Sequence, residues 1–114
     1  MAWTPEAVFE ACRDVVETPM ELIKEYQFTL KDIVTTITIR LFRLFESDKV
    51  HFTQSHFIKT PTQVDEYVTS HPYSDDLGSA LHQAVYGITQ FYNEAVERGH
   101  SPSGEWLVPN KFFR

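Results

Sequence analysis

A single cysteine, Cys12, stands in 114 residues, which excludes an internal disulfide framework and fits a reducing compartment. Glycine is scarce too: Gly78, Gly87, Gly99 and Gly104 are spaced too widely for a phosphate-cradling loop or a nucleophile elbow. Neither His-Glu-x-x-His nor Cys-x-x-Cys occurs, so a zinc site of the usual kinds is excluded and no cofactor is expected. Positive charge is thin, with 10 Lys and Arg against 16 Asp and Glu and a net charge of −6. No Lys/Arg patch is available to displace phosphate counterions, so neither direct nucleic-acid binding nor a membrane-surface role is expected. No apolar run exceeds three residues, too short for a membrane-spanning helix. Trp3 and an acidic first turn follow Met1 in place of a basic stretch and a long apolar core. No secretory signal is therefore expected, and the cytoplasm is the expected location.

The 42% of apolar residues, with nine Phe, five Tyr and two Trp, argues for a folded chain rather than a disordered one. At this length one domain can bury roughly two thirds of its unfolded surface. Residues 1–100 are expected to form a single helical domain, and 101–114 an apolar C-terminal tail docked on that domain or on a partner.

Three Thr-Pro steps organise the helical reading. Thr4-Pro5, Thr18-Pro19 and Thr60-Pro61 each precede apolar residues at helical spacing, where Thr can cap a first turn and Pro loses no hydrogen bond. Glu21 and Gln63 complete capping boxes at the second and third. The pattern predicts an all-α small helical bundle with two long helices, about 19–46 and 75–98, and two short ones, about 5–17 and 61–70. In the first long helix Leu22, Ile23, Tyr26, Leu30, Ile33, Val34, Ile37, Leu41 and Leu44 stay in phase at 100° per residue. A helix of that span would be ~42 Å long. The rival reading is α+β, with a hairpin at about 33–58, because Thr36-Ile-Thr-Ile-Arg-Leu41 alternates and is rich in β-branched residues. The helix is preferred for its clean polar arc. In the last helix Leu77, Leu81, Ala84, Ile88, Phe91 and Ala95 form a seam, with Gly99 as the C-cap.

The chemistry-bearing candidates are few. Cys12 falls on the apolar face beside Val8, Val15 and Val16 and is expected to be a buried hydrophobe. His71, Asp75, Asp76 and His82 combine imidazole and carboxylate in a way that suits a divalent metal or a small-molecule site, although Asp75 and His82 lie two helical turns apart. Glu6, Glu10, Asp14, Glu17 and Glu21 step by three and four and form an acidic edge, readable as a dock for a basic partner or as a nucleic-acid mimic that inhibits a nucleic-acid-binding protein. Phe28, Ile39, Phe42 and Tyr86 fall opposite the main apolar seams, and Trp106, Phe112 and Phe113 cluster in the tail. These seven residues are the expected partner-binding set. Ala80, Ala84 and Gly87 line a small-residue edge expected to admit a neighbouring helix. The function expected from these features is a small non-enzymatic protein-protein interaction or assembly module. It would present apolar helical surface and an acidic edge as a homodimer; the alternative is the metal- or small-molecule-dependent helical protein.

Overall fold

The computed structural model describes residues 2–113. Its elements run α1 (Pro5–Ala11), β1 (Met20–Phe28), β2 (Ile37–Leu44), β3 (Val50–Gln54), β4 (His56–Ile58), β5 (Tyr73–Ser74), α2 (Leu77–Glu97), a 3-10 turn (Gly104–Trp106) and β6 (Leu107–Pro109). Strands β1, β2, β3 and β5 form an antiparallel sheet in that order, and β4 pairs with β6 in a second, smaller one. The fold is α+β, and the all-α bundle expected from the sequence is wrong. No helix of the described residues is long and apolar enough to cross a membrane.

The largest error is the helix at 19–46, which is two strands and a connection. Leu22, Tyr26 and Leu30 satisfy a four-residue step and a two-residue step equally, so helical phase alone cannot separate the two. The β-branched run at Ile37-Thr38-Ile39 and the left-handed turn at Asp32 (φ 66°) decide for strands. Between them Ile33 N–H donates to the Leu30 carbonyl at 3.1 Å, and both side chains are buried. The hairpin kept as the rival reading lies inside its range as β2 and β3, joined through the Glu46–Lys49 turn.

The capping signals fare unevenly. Thr4 caps α1, its Oγ1 accepting from Ala7 N–H at 3.1 Å, but the helix stops at Ala11 rather than near 17. Thr18 opens no helix: its φ is +52°, and Glu21 lies on a strand where it pairs with Arg43 at 2.9 Å. At Thr60 half of the capping box forms, with Thr60 N–H donating to Gln63 Oε1 at 2.8 Å, but Gln63 N–H donates to the Thr60 carbonyl at 3.0 Å rather than to its Oγ1, and a single turn results. The following Val64 and Val68 are exposed and only Tyr67 packs on α2, so a helix at 61–70 would bury too little apolar surface to recover its nucleation cost.

Helix α2 follows its pattern. Asp76 caps it, and Gly99 (φ 88°) ends it in a Schellman motif, with Gly99 N–H bonded to Val96 O and His100 N–H to Ala95 O, both at 3.0 Å. Ala80, Ala84, Ile88 and Ala95 pack on β2 and β3, whose Ile37, Ile39, Leu41 and Phe52 face the helix. Gly87 is filled from an unexpected direction. A Cβ there would lie 3.0 Å from the ring of Tyr67, so the small-residue edge admits a loop aromatic rather than another helix. The tail closes the second sheet on its own domain: β6 pairs with β4, Lys59 N–H donates to Trp106 O at 2.8 Å, and the Trp106 ring meets Tyr92 edge-on at 5.8 Å.

Candidate interaction surface

Helix α2 covers only part of the sheet. It packs on β2, β3, β4 and β5, and leaves β1 as a nine-residue edge that no other strand joins among the described residues. At 3.4 Å per residue this is ~30 Å of free backbone N–H and C=O groups. The side chains are as open as the backbone. Met20, Leu22, Ile23 and Tyr26 are 54, 58, 40 and 38% exposed, and only Phe28 at the far end is half-buried. A register shift between Leu22 and Lys24 makes Ile23 a bulge, which turns an apolar side chain out of the alternation.

The sheet face away from α2 continues this surface. Leu22, Phe42, His51 and Tyr73 are successive cross-strand neighbours on β1, β2, β3 and β5. His51 stacks on Phe42 at 5.7 Å and lies 5.3 Å from the Tyr73 ring, and its buried Nε2 has no hydrogen-bond partner among the described residues. Below this row Arg40 Nε donates to Glu25 at 2.7 Å while its guanidinium sits 4.6 Å over the Phe113 ring. A groove of about 510 Å3 on this face is lined by Met20, Leu22, Glu25, Arg40, Phe42, Thr53 and Phe112.

Several expected partner-binding residues therefore stand on this face. Phe42, Phe112 and Phe113 line or border the groove, whereas Phe28, opposite Ile37, packs against the core on the other face. Ile39 and Trp106 do not belong to it, being fully buried and 4% exposed, because strand alternation and the β4–β6 pairing turn them inward. Tyr86 is exposed on α2, where it stacks on His82 at 5.7 Å. The residues that sequence reasoning missed as surface are Leu22, Ile23 and Tyr26, which helical phase assigns to a core seam, and Met20, which it leaves unassigned. The even-numbered apolar positions 20, 22, 26 and 28 carried the strand signal.

The other candidates separate. Among the described residues no group of three or more His, Cys, Asp or Glu is arranged to hold a metal, and the quartet at 71–82 is dispersed. Asp75 pairs with Lys49, whose pKa this partner raises. His71 packs edge-on against Tyr73. Asp76 accepts from Ser79 N–H at 2.7 Å, and that bond, with a second from Ser79 Oγ, holds its carboxyl below the usual range. The acidic ladder is not one helix edge, since Glu6 and Glu10 lie on α1, Asp14 and Glu17 follow its end, and Glu21 is on β1. Cys12 is exposed rather than buried because α1, which it caps, buries none of its residues against the domain.

Replacing Asp76 with Ala is expected to lower Tm by roughly 4–8 °C at neutral pH, the usual effect of losing an N-cap. The sign follows from the depressed folded pKa. The stabilisation is present above the ordinary carboxylate pKa and is lost as pH falls through the folded value, so calorimetric scans of the two proteins converge in acid.

No protein-family model, curated protein or solved structure matches this chain, and its own residues carry the functional reading.

Proposed function

We propose that this protein is a non-enzymatic protein-protein interaction or assembly module that works through β1, whose partner adds a strand to the free edge and covers the apolar side chains beside it. The single observation carrying this is the exposure of β1 along its length. Long apolar edges are a hazard that folded proteins blunt with charge, proline or a covering element; here Glu21, Lys24, Glu25 and the Ile23 bulge interrupt the edge but leave Met20, Leu22, Ile23 and Tyr26 exposed along it. Strand addition supplies main-chain hydrogen bonds for affinity, and the alternating side chains and the groove beside them supply selectivity. Apolar surface on a sheet thus replaces the helical surface expected from the sequence. A cytoplasmic setting fits the exposed, unpaired thiol of Cys12.

The reading requires that β1 side chains serve association and not the fold. A Leu22→Ser/Tyr26→Ser variant is expected to keep the far-UV circular dichroism of the parent and the emission of buried Trp106 at 25 °C, since neither side chain is in the core. A variant unfolded at that temperature would show that β1 completes the protein's own core, and the reading would fail.

A further inference from the structure

We infer that the occupant of the β1 edge is a second copy of this chain, an inference that rests on β1 being an interaction surface. The two copies meet about a two-fold axis perpendicular to the sheet. β1 then runs antiparallel to its symmetry mate, and two four-stranded sheets become one continuous sheet.

The surface area points to this size of partner. A folded monomer of 13.3 kDa exposes about 6,450 Å2. This chain exposes 7829 Å2, about 1,400 Å2 more than that expectation. Covering such an excess on each of two copies would bury about 2,800 Å2 in total, within the range of obligate homodimers and above that of ordinary transient complexes. The shape agrees. The radius of gyration is 17.2 Å, where about 13 Å is usual for this length, and the longest dimension is 62 Å against 25 and 23 Å.

The excess lies at the N-terminal end. α1 has seven residues, none buried, and is held by the edge-on contact of Phe9 with Phe45 at 4.8 Å. A helix this short does not persist in water by its own propensity, so it needs further cover. Phe45 N–H donates to Pro19 O at 3.1 Å, which fixes α1 beside the Met20 end of β1. Antiparallel pairing of two β1 strands brings that end next to the Phe28 end of the other copy. α1 therefore approaches the other copy's 29–36 loop, where Val34 is 96% exposed and Lys31 is in no ion pair among the described residues. Trp3 and Val8 offer apolar cover for Val34, and Glu6 offers a carboxylate for Lys31.

The strand is also its own complement. An antiparallel edge fits a copy of itself, since each strand presents the same free N–H and C=O groups to the other. Glu21 and Glu25 enter the pairing already balanced by Arg43 and Arg40 within the chain, at 2.9 and 2.7 Å, so two like-charged carboxylate rows are not brought together bare.

Sedimentation equilibrium of the full chain tests this. The expected mass is twice the chain mass, and Ile23→Arg in the strand and Val34→Arg in the exposed loop are each expected to weaken the dimer by at least ~10-fold, because each buries a charge in an apolar contact. Val34 is outside every core contact, so its variant reports on association even if Ile23→Arg misfolds. A wild type of single-chain mass at every concentration overturns the inference, and so does a dimer whose mass neither variant changes. A monomeric wild type whose Leu22→Ser/Tyr26→Ser variant stays folded overturns the second copy alone and leaves β1 open to a different protein. An unfolded Leu22→Ser/Tyr26→Ser variant overturns the interaction reading itself.

Discussion

An Ile39→Ser variant is expected to be largely unfolded at 37 °C, with its urea midpoint displaced by more than half of the parent value. Ile39 has no exposed surface and lies at the centre of the sheet, between Tyr26 on β1 and Gln54 on β3, on the face that carries α2. The substitution removes most of a buried aliphatic side chain, leaves a cavity that the surrounding sheet cannot close, and adds a hydroxyl. Together these cost about 4 kcal/mol, a large part of the 5–15 kcal/mol that holds a domain of this size. An unchanged midpoint would return Ile39 to the surface, where the sequence alone places it.

A Trp106→Ala variant is expected to lose about 3–5 kcal/mol and to melt at least ~12 °C below the parent. The indole is buried against Tyr92, and its residue anchors the turn from which β6 departs to pair with β4. Removing it loosens the tail as well as the core, because Asn110 beyond β6 ties back to the carbonyls of Gln54, at 2.9 Å, and Ser55, at 2.8 Å. Fluorescence makes the outcome easy to read. The other tryptophan, Trp3, is 66% exposed and emits to the red, so the blue component of the native spectrum is expected to vanish with Trp106. Retention of the parental Tm would mean that the tail is detached from the domain.

How far the sequence discloses this fold depends on how many signals coincide at each element. In α2 the Asp76 cap, the three- and four-residue apolar steps and Gly99 agree, and the helix runs 77–97, within two residues of its expected limits. From 19 to 46 they conflict. The periods of two and four share Leu22, Tyr26 and Leu30, and the Thr18-Pro19 signal that suggests a helix start belongs to a left-handed residue leading into a strand. The capping signal at Thr60 shows the same limit from another side, since its Gln63 side-chain bond forms without a helix to follow. The exposed apolar face of β1 was hidden by this error. Helical phase puts Leu22, Ile23 and Tyr26 in a core and Ile39 outside it, whereas the strand arrangement exchanges them. What survives the exchange is the surplus of apolar residues over what one small core can bury, now placed on β1 and the outer sheet face.

That surplus joins the separate observations. A nine-residue edge, four exposed apolar side chains and a helix with no buried residue all occur within residues 2–28 of an elongated molecule. Each is surface that the proposed pairing would cover. Hydrogen exchange resolved to individual amides, in dilute and in concentrated solution, reads this most directly. If β1 pairs with a second copy, its outward amides are slow in concentrated solution and accelerate on dilution, while those of β2 stay slow throughout. Exchange in β1 that is independent of protein concentration would contradict the pairing.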